Sequence, residues 1–322
     1  MKKKKILICG ATGFIGNNIA EYFVAKPDVE LFGTYFRAKP LSNPRIKMLK
    51  ADLTNQDDVN RIVVGMDIII QAAAVTSGAK DIVNRPYYHV TDNAIINSLI
   101  FRAAFEHKVS HVVFFSCTVI YQSSDIPVKE IDLDLNEEIY ENYFGIGWTK
   151  IYIEKMCEFY SRLGGTKYTV LRHSNIYGPH DKYDLEKSHV FGATMTKVLT
   201  NKDGKIVVWG AGDEARDLLY VKDLVDCVGL VMEKQAADFE LVNVGSGTII
   251  SVRELVQKII NYSGKNINVV YDKNKPNIKT KLCLDINKAK ELFGWSPNVS
   301  LDEGIKMTME WYKTNIKDEV LV

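Results

Sequence analysis

Ile6-Leu7-Ile8-Cys9-Gly10-Ala11-Thr12-Gly13-Phe14-Ile15-Gly16 is the stretch on which the reading of this chain turns. Four apolar residues of strand character run directly into three glycines, and apolar residues at helical spacing continue over 15–24. Bare backbone at Gly10, Gly13 and Gly16 lets a pyrophosphate approach amide groups at a helix N-terminus, where the helix dipole favours an anion. The glycines are spaced three and three, not two and three as in the commonest dinucleotide fingerprint, but the chemistry is the same. Thr12, Phe14 and Ile15 share the loop and are expected to touch the same ligand.

A glycine triplet alone is weak evidence, so the context decides it. Residues 31–35, 68–71, 112–115 and 168–171 are further short apolar runs, of the kind a parallel sheet covered on both faces requires. Between them, 57–64, 92–106 and 148–162 carry apolar residues at helical spacing. The alternation predicts an α/β fold, a doubly wound parallel (Rossmann) sheet over 1–175 that binds ligands at the carboxyl ends of its strands. After Asn175 the pattern is broken by Asp203-Gly204, 210–213 and 245–247, which predicts a smaller C-terminal α/β region over 176–322, with some segments crossing back.

Composition narrows the partners. The chain has 322 residues and a net charge of +1, which leaves no global field to attract nucleic acid or an anionic membrane. The one dense basic run, Lys2 to Lys5, reads as a solvated tail, and the apolar segment after it is too short for a signal peptide. No segment approaches the ~18 consecutive apolar residues of a membrane span. Cys9, Cys117, Cys157, Cys227 and Cys283 show neither paired spacing nor a neighbouring histidine cluster, so neither a metal site nor a disulfide framework is expected. A reducing, cytoplasmic setting fits them.

The second strand ends near Tyr35, where an acidic residue would hold the ribose 2′-hydroxyl of NAD. Thr34-Tyr35-Phe36-Arg37 stands there instead, a cation without an acid, which favours the 2′-phosphate of NADP. Asp52 and Leu53 are placed to meet the adenine edge, though Asp52 is equally suited to a helix N-cap. Ala72, Ala73 and Ala74 end the fourth strand with side chains small enough for a cofactor to lie close.

These residues resemble the extended short-chain dehydrogenases/reductases that act on nucleotide sugars, the NAD-dependent epimerase/dehydratase family, and the likeness runs over almost the whole chain. Gly10 to Gly16 matches the cofactor loop of that family. Arg172-His-Ser-Asn175-Ile-Tyr177-Gly178-Pro179 resembles its RxxNxYGP strand end, Arg216-Asp217 with Val221-Lys-Asp223 its R-[DE]-x-x-x-V-x-D segment, and Phe293-Gly294-Trp295-Ser-Pro297 its LGWxP. Gly178-Pro-His-Asp-Lys-Tyr with Ser188-His189-Val190 is most similar to GDP-fucose synthase-like members. The resemblance implies NAD(P), a GDP-sugar or similar nucleotide sugar between the two regions, and a homodimer or higher homo-oligomer built from helices near 92–106 and 148–162.

It also implies a Tyr-x-x-x-Lys helix and an upstream Ser or Thr that share proton transfer, with the lysine charge lowering the tyrosine pKa. Lys150 stands in place, but Ile146 occupies the tyrosine position and Cys117, four before Tyr121, the hydroxyl position. Thr118, Cys117, Tyr143, His189 or the substrate itself must then handle the proton. His189 matches a histidine used in epimerisation, but its cysteine partner falls at Val119, and the acidic pair of the 4,6-dehydratases falls at Thr118 and Val119. Elimination of water and C3/C5 epimerisation are therefore poorly supported, and hydride transfer at a sugar carbon, C4, is what remains. Asn175, His189, Val190, Lys197, Arg216 and Lys279, with Lys281 nearby, are expected to bind substrate. Two alternatives accompany this expectation: a 4-epimerase with retained cofactor, and a catalytically silent cofactor- and sugar-binding regulatory subunit.

Overall fold

The computed structural model describes residues 3–76, 86–185, 188–274 and 281–316. Its first half is built from β1 (Lys4–Cys9), α1 (Phe14–Val24), β2 (Val29–Tyr35), β3 (Ile46–Lys50), α2 (Gln56–Val63), β4 (Ile68–Gln71), α3 (Thr91–Glu106), β5 (His111–Cys117), α4 (Phe144–Arg162) and β6 (Lys167–His173). These strands form one parallel sheet with the order β6-β5-β4-β1-β2-β3. The apolar runs at 6–9 and 68–71 are buried throughout, because helices cover both faces of the sheet. On one face Ile96, Ile100 and Phe101 of α3 and Ile153 and Cys157 of α4 pack against Leu7, Ile69 and Val112. On the other, Ile19, Ala20 and Phe23 of α1 pack against Ile6, Ile8 and Val113.

A seventh strand, β11 (Phe239–Val244), extends the sheet beyond β6 in parallel register, with Val242 opposite Leu171. It lies far downstream in sequence, and the helix before it, α6 (Val221–Lys234), shares the α1 face through Leu224, Val225, Val228 and Val231. The large sheet thus draws on the second half of the chain as well as the first.

The remaining elements make small sheets and a third core. β7 (Asn175–Tyr177) pairs with β10 (Leu218–Tyr220), and β8 (Lys205–Trp209) with β13 (Asn268–Asp272). β9 (Ala215–Arg216) lies between β12 (Ile250–Ser251) and β14 (Lys281–Leu282). Helices α5 (Val190–Leu199), α7 (Val252–Ser263) and α9 (Leu301–Asn315) enclose Tyr177, Phe191, Met195, Leu255, Ile305 and Met309, while α8 (Asn287–Phe293) returns to the first core. Both α7 and α9 start with capping boxes, Ser251 with Glu254 and Ser300 with Glu303.

Two of the sequence motifs hold these parts together. The Asp223 carboxylate accepts from the amides of Asn298 and Val299, and Trp295 Nε1 donates to the Asp223 carbonyl at 2.9 Å. The loop after β7 docks on α1: Asn18 donates to the Pro179 carbonyl at 2.8 Å, and the His180 ring bridges Asn17 and Glu21. Among the described residues, no helix is long and apolar enough to cross a membrane, and no group of three or more His, Cys, Asp or Glu is placed to hold a metal ion.

Candidate active site

The glycine loop is shaped by contacts that only glycine tolerates. Gly10 has φ +80°, and a methyl added there would sit 2.7 Å from Ala73 Cα. One added at Gly16 would sit 2.1 Å from the Gly10 carbonyl oxygen. Gly13 is exposed and opens α1 with neither a side-chain cap nor an acidic residue in the first turn, so no side chain claims the anion-seeking end of the helix. Thr34 holds the loop from the neighbouring strand, its hydroxyl accepting from Gly10 N at 2.8 Å and its carbonyl from Ala11 N at 3.2 Å. Thr12 is half-buried, and Phe14 and Ile15 pack against the core beneath. A cradle that side chains would fill, under an uncapped helix end, fits a dinucleotide pyrophosphate.

Around it, Ala73 is the residue that meets Gly10, while Ala72 and Ala74 flank it at the end of β4. Arg37 is exposed just beyond β2, its guanidinium 5.2 Å from the Phe36 ring centroid. Asp52 accepts from the Thr54 amide and hydroxyl at 3.0 and 2.7 Å. The cap of α2 is Asn55, whose side chain accepts from Asp58 N, so Asp52 is not the N-cap. Leu53 packs against the core on the α3 side.

The predicted catalytic residues lie where β5, β6 and α4 meet. Lys150 Nζ donates to the Phe115 carbonyl at 2.7 Å and sits 4.7 Å from the Phe114 ring centroid. Burial holds its pKa below the ordinary lysine range, opposed by the Cys117 thiol. Ile146 lies one turn before Lys150 on the same helix face, is half-buried, and joins none of the four apolar clusters among the described residues. The start of α4 packs closely because Gly145 and Gly147 lack side chains: added methyls would meet Val90 and Ile139, each at 2.8 Å. Cys117 ends β5, and burial pushes its thiol pKa up against the pull of Lys150. Thr118 opens the 3-10 turn Thr118–Ile120, half-buried.

Tyr143 ends another 3-10 turn, Glu141–Tyr143, and packs against the cluster of Ile120, Tyr121, Ile139 and Ile151. Burial raises its pKa, the Arg216 charge opposes this, and Cys117 adds to it, so phenol, thiol and guanidinium lie within electrostatic reach of one another. Arg216 itself is held below its ordinary pKa by burial, and one of its nitrogens donates to the Ala215 carbonyl.

His173 is a site residue that the motif reading passed over. It stands at the carboxyl end of β6, directly opposite Cys117 in the β5–β6 register, with its ring 6.2 Å from that of Phe115. Its Nδ1 lies 2.7 Å from the Ser174 carbonyl oxygen, which assigns the proton to Nδ1 and leaves Nε2 as an acceptor. Burial lowers its pKa to about 4, with Lys150 and His189 adding, so the ring is neutral near pH 7. Its place one residue after Arg172, at a strand end, was the signal available in the sequence.

The predicted substrate residues divide. Asn175 opens β7 and its side chain donates to the Asp217 carbonyl at 3.2 Å. His189 caps α5 and Val190 begins it. The His189 residue is open to solvent although its ring is surrounded by protein, and desolvation holds its pKa down. Lys197 donates to the Val207 carbonyl at 2.8 Å, close to Trp209, which is 46% exposed. Lys281 pairs with Asp125 at 2.9 Å, and Lys279 lies outside the described residues. Arg172 of the RxxN motif is structural: it forms a buried ion pair with Glu154 at 2.7 Å and donates to Tyr121 Oη at 2.7 Å.

The model of the NAD dependent epimerase/dehydratase family matches residues 6–245. The chain belongs to that family. Among its relatives is the GDP-L-fucose synthase of Escherichia coli (strain K12), 28% identical over 98% of this chain and 98% of that protein. The GDP-L-colitose synthase of Yersinia pseudotuberculosis is also 28% identical, over 96% of this chain and 97% of its own length. A UDP-glucose 4-epimerase of Thermotoga maritima, solved with UDP-glucose, superposes with a TM-score of 0.86 at 25% identity, covering 97% of this chain and all of that one. This family is one of NAD(P)-dependent enzymes, and the seven-strand sheet with its helices on both faces is their Rossmann fold.

Proposed function

We propose that this protein is a nucleotide-sugar oxidoreductase that acts at one sugar carbon, C4, of a GDP-sugar or a close analogue, with NADP as the preferred cofactor. The observation that carries the reading is the pairing of an intact cradle and Lys150 with the departures at Ile146 and Cys117. Hydride transfer needs an aligned cofactor and carbonyl more than it needs the two further bases of a C3/C5 epimerase. When bound, the dinucleotide supplies or accepts the hydride.

The residues of the chain do the rest. Gly10, Gly13 and Gly16 admit the pyrophosphate, and Lys150, one turn after residue 146 on the same helix face, is the residue for a nicotinamide ribose. Arg37 offers a fork to a ribose 2′-phosphate. Arg216, Lys197 and Asn175 line the route of the substrate diphosphate, and the exposed Trp209 offers a face on which a base can stack. The exposed Ile95, Trp148, Tyr152 and Phe159 on α3 and α4 form the face proposed for a homodimer.

The test is a panel of GDP-, UDP-, CDP- and dTDP-sugars and their 4-keto forms, followed by the change in nicotinamide absorbance. Turnover with net cofactor oxidation or reduction is the expected result. Isomerised product without net redox change would favour a 4-epimerase instead. A silent parent that gains activity in Ile146→Tyr would favour the regulatory reading, which the departures at Ile146 and Cys117 support.

A further inference from the structure

Ile146 leaves the reacting oxygen without the hydroxyl that this helix ordinarily presents, and the groups around it differ in what they can give. Lys150 spends one N–H on the Phe115 carbonyl. The unprotonated Nε2 of His173 has nothing to donate, because the proton on Nδ1 is turned to the Ser174 carbonyl. The Cys117 thiol is enclosed beside Lys150. Thr118 has an uncommitted hydroxyl, but an aliphatic alcohol gives up its proton far less readily than a phenol.

Tyr143 is different. Its hydroxyl makes no hydrogen bond among the described residues, while its backbone amide donates to the Tyr140 carbonyl at 2.7 Å. It is the N-cap of α4, seven residues before Lys150 in the chain, with Ile146 between the two. Its ring rests on the cluster that includes Ile120, next to Cys117 and Thr118, and that Leu282 also joins; Leu282 is the strand partner of Arg216. Gly147 lets this end of the helix close on Ile139 of the same cluster, because a methyl there would come within 2.8 Å of that side chain.

We propose that Tyr143 is the catalytic proton donor and acceptor of this enzyme, its hydroxyl meeting the sugar oxygen over the side chain of Ile146. The proposal rests on the oxidoreductase reading above. In the direction of reduction, the carbonyl carbon takes a hydride and its electron pair from the reduced dinucleotide, which becomes oxidised. The carbonyl π pair moves to oxygen, the Tyr143 O–H bond breaks, and its proton completes the alcohol; water reprotonates the phenolate. In oxidation every transfer reverses. Arg216 assists by favouring the phenolate, much as a lysine would.

Tyr143→Phe removes only the hydroxyl, and its melting temperature and NADPH affinity report whether the fold and cradle survive. The expected result is a kcat lower by about 10²- to 10⁴-fold with KM changed less than about threefold. Tyr140→Phe, at the neighbouring ring, keeps parental kcat. A readout independent of turnover is 3-fluorotyrosine at position 143 followed by 19F NMR, whose resonance is expected to move when NADP⁺ and GDP are added together. Parental kcat in Tyr143→Phe, or a loss carried instead by Thr118→Val, overturns the assignment while leaving the oxidoreductase reading intact. A resonance unmoved under saturating NADP⁺ and GDP overturns it as well. A parent with no turnover on any sugar of the panel overturns the oxidoreductase reading, and the assignment with it.

Discussion

Gly16→Ala tests the cradle most directly. The added methyl would lie 2.1 Å from the Gly10 carbonyl oxygen and 2.8 Å from its carbon, both backbone atoms that cannot rotate aside. Reaching even a 3.0 Å contact requires the start of α1 to retreat from the end of β1 by about 0.9 Å. Overpacking of this kind costs about 1–3 kcal/mol, or a melting temperature lower by roughly 1–5 °C for a chain of this size. The same shift carries the helix-end amides out of hydrogen-bonding range of a phosphate. Losing one charge-assisted bond of about 1.5–3 kcal/mol weakens dinucleotide binding about 10- to 100-fold. Gly13→Ala is the matched control for the fold, since its methyl meets only the Gly10 oxygen, at 3.3 Å, and a small adjustment keeps the melting temperature near that of the parent. Titration of NADPH by its fluorescence, with thermal melting alongside, gives both quantities. If Gly16→Ala bound NADPH within threefold of the parent, the loop would not be the pyrophosphate cradle.

Arg37→Ala is expected to weaken NADPH binding about tenfold and leave NADH unchanged, because only the former offers a 2′-phosphate to the guanidinium; calorimetry with both cofactors decides it. Asp181 has a buried Oδ2 without a hydrogen-bond partner, and burial raises its carboxyl pKa to about 7. The fold therefore favours the neutral acid, and its contribution to stability is whole below the unfolded pKa of about 3.9 and lost as pH rises through 7. Asp181→Asn should raise the melting temperature at pH 8 and change it little at pH 4, and equal shifts at both pH values would contradict this. Aspartates at Tyr152 and Phe159, which are 53% and 54% exposed on α4, should halve the sedimenting mass with the circular dichroism unchanged.

Local patterns were legible where local physics decides. The run at 68–71 is a strand over those same residues, since a segment buried on both faces is apolar at Ile68, Ile69 and Ile70 and has its one polar side chain, Gln71, bonded to Asn97. The cofactor loop was equally plain, because close approach of backbone to backbone admits only glycine at Gly10 and Gly16. Helix 148–162 was recognised, but its start at Phe144 was not: two glycines weaken the periodic signal there, and packing against Val90 and Ile139 supplies the stability that propensity lacks.

What the chain order could not disclose is which distant residues share a site. The seventh strand joins the sheet across a long separation because its edge hydrogen bonds and apolar face are satisfied only beside β6. Arg172 became a buried partner of Glu154 and not a surface cation for the same kind of reason, since a charge inside the fold demands an opposite one. His173 meets Cys117 through strand register alone. The sequence by itself determined that a dinucleotide loop is present and that Ile146 cannot move a proton, because both are properties of single residues and their neighbours. Only the tertiary structure decided that Tyr143 stands within electrostatic reach of Cys117 and Arg216, because bringing a helix start, a strand end and a remote strand together is a matter of packing, not of spacing.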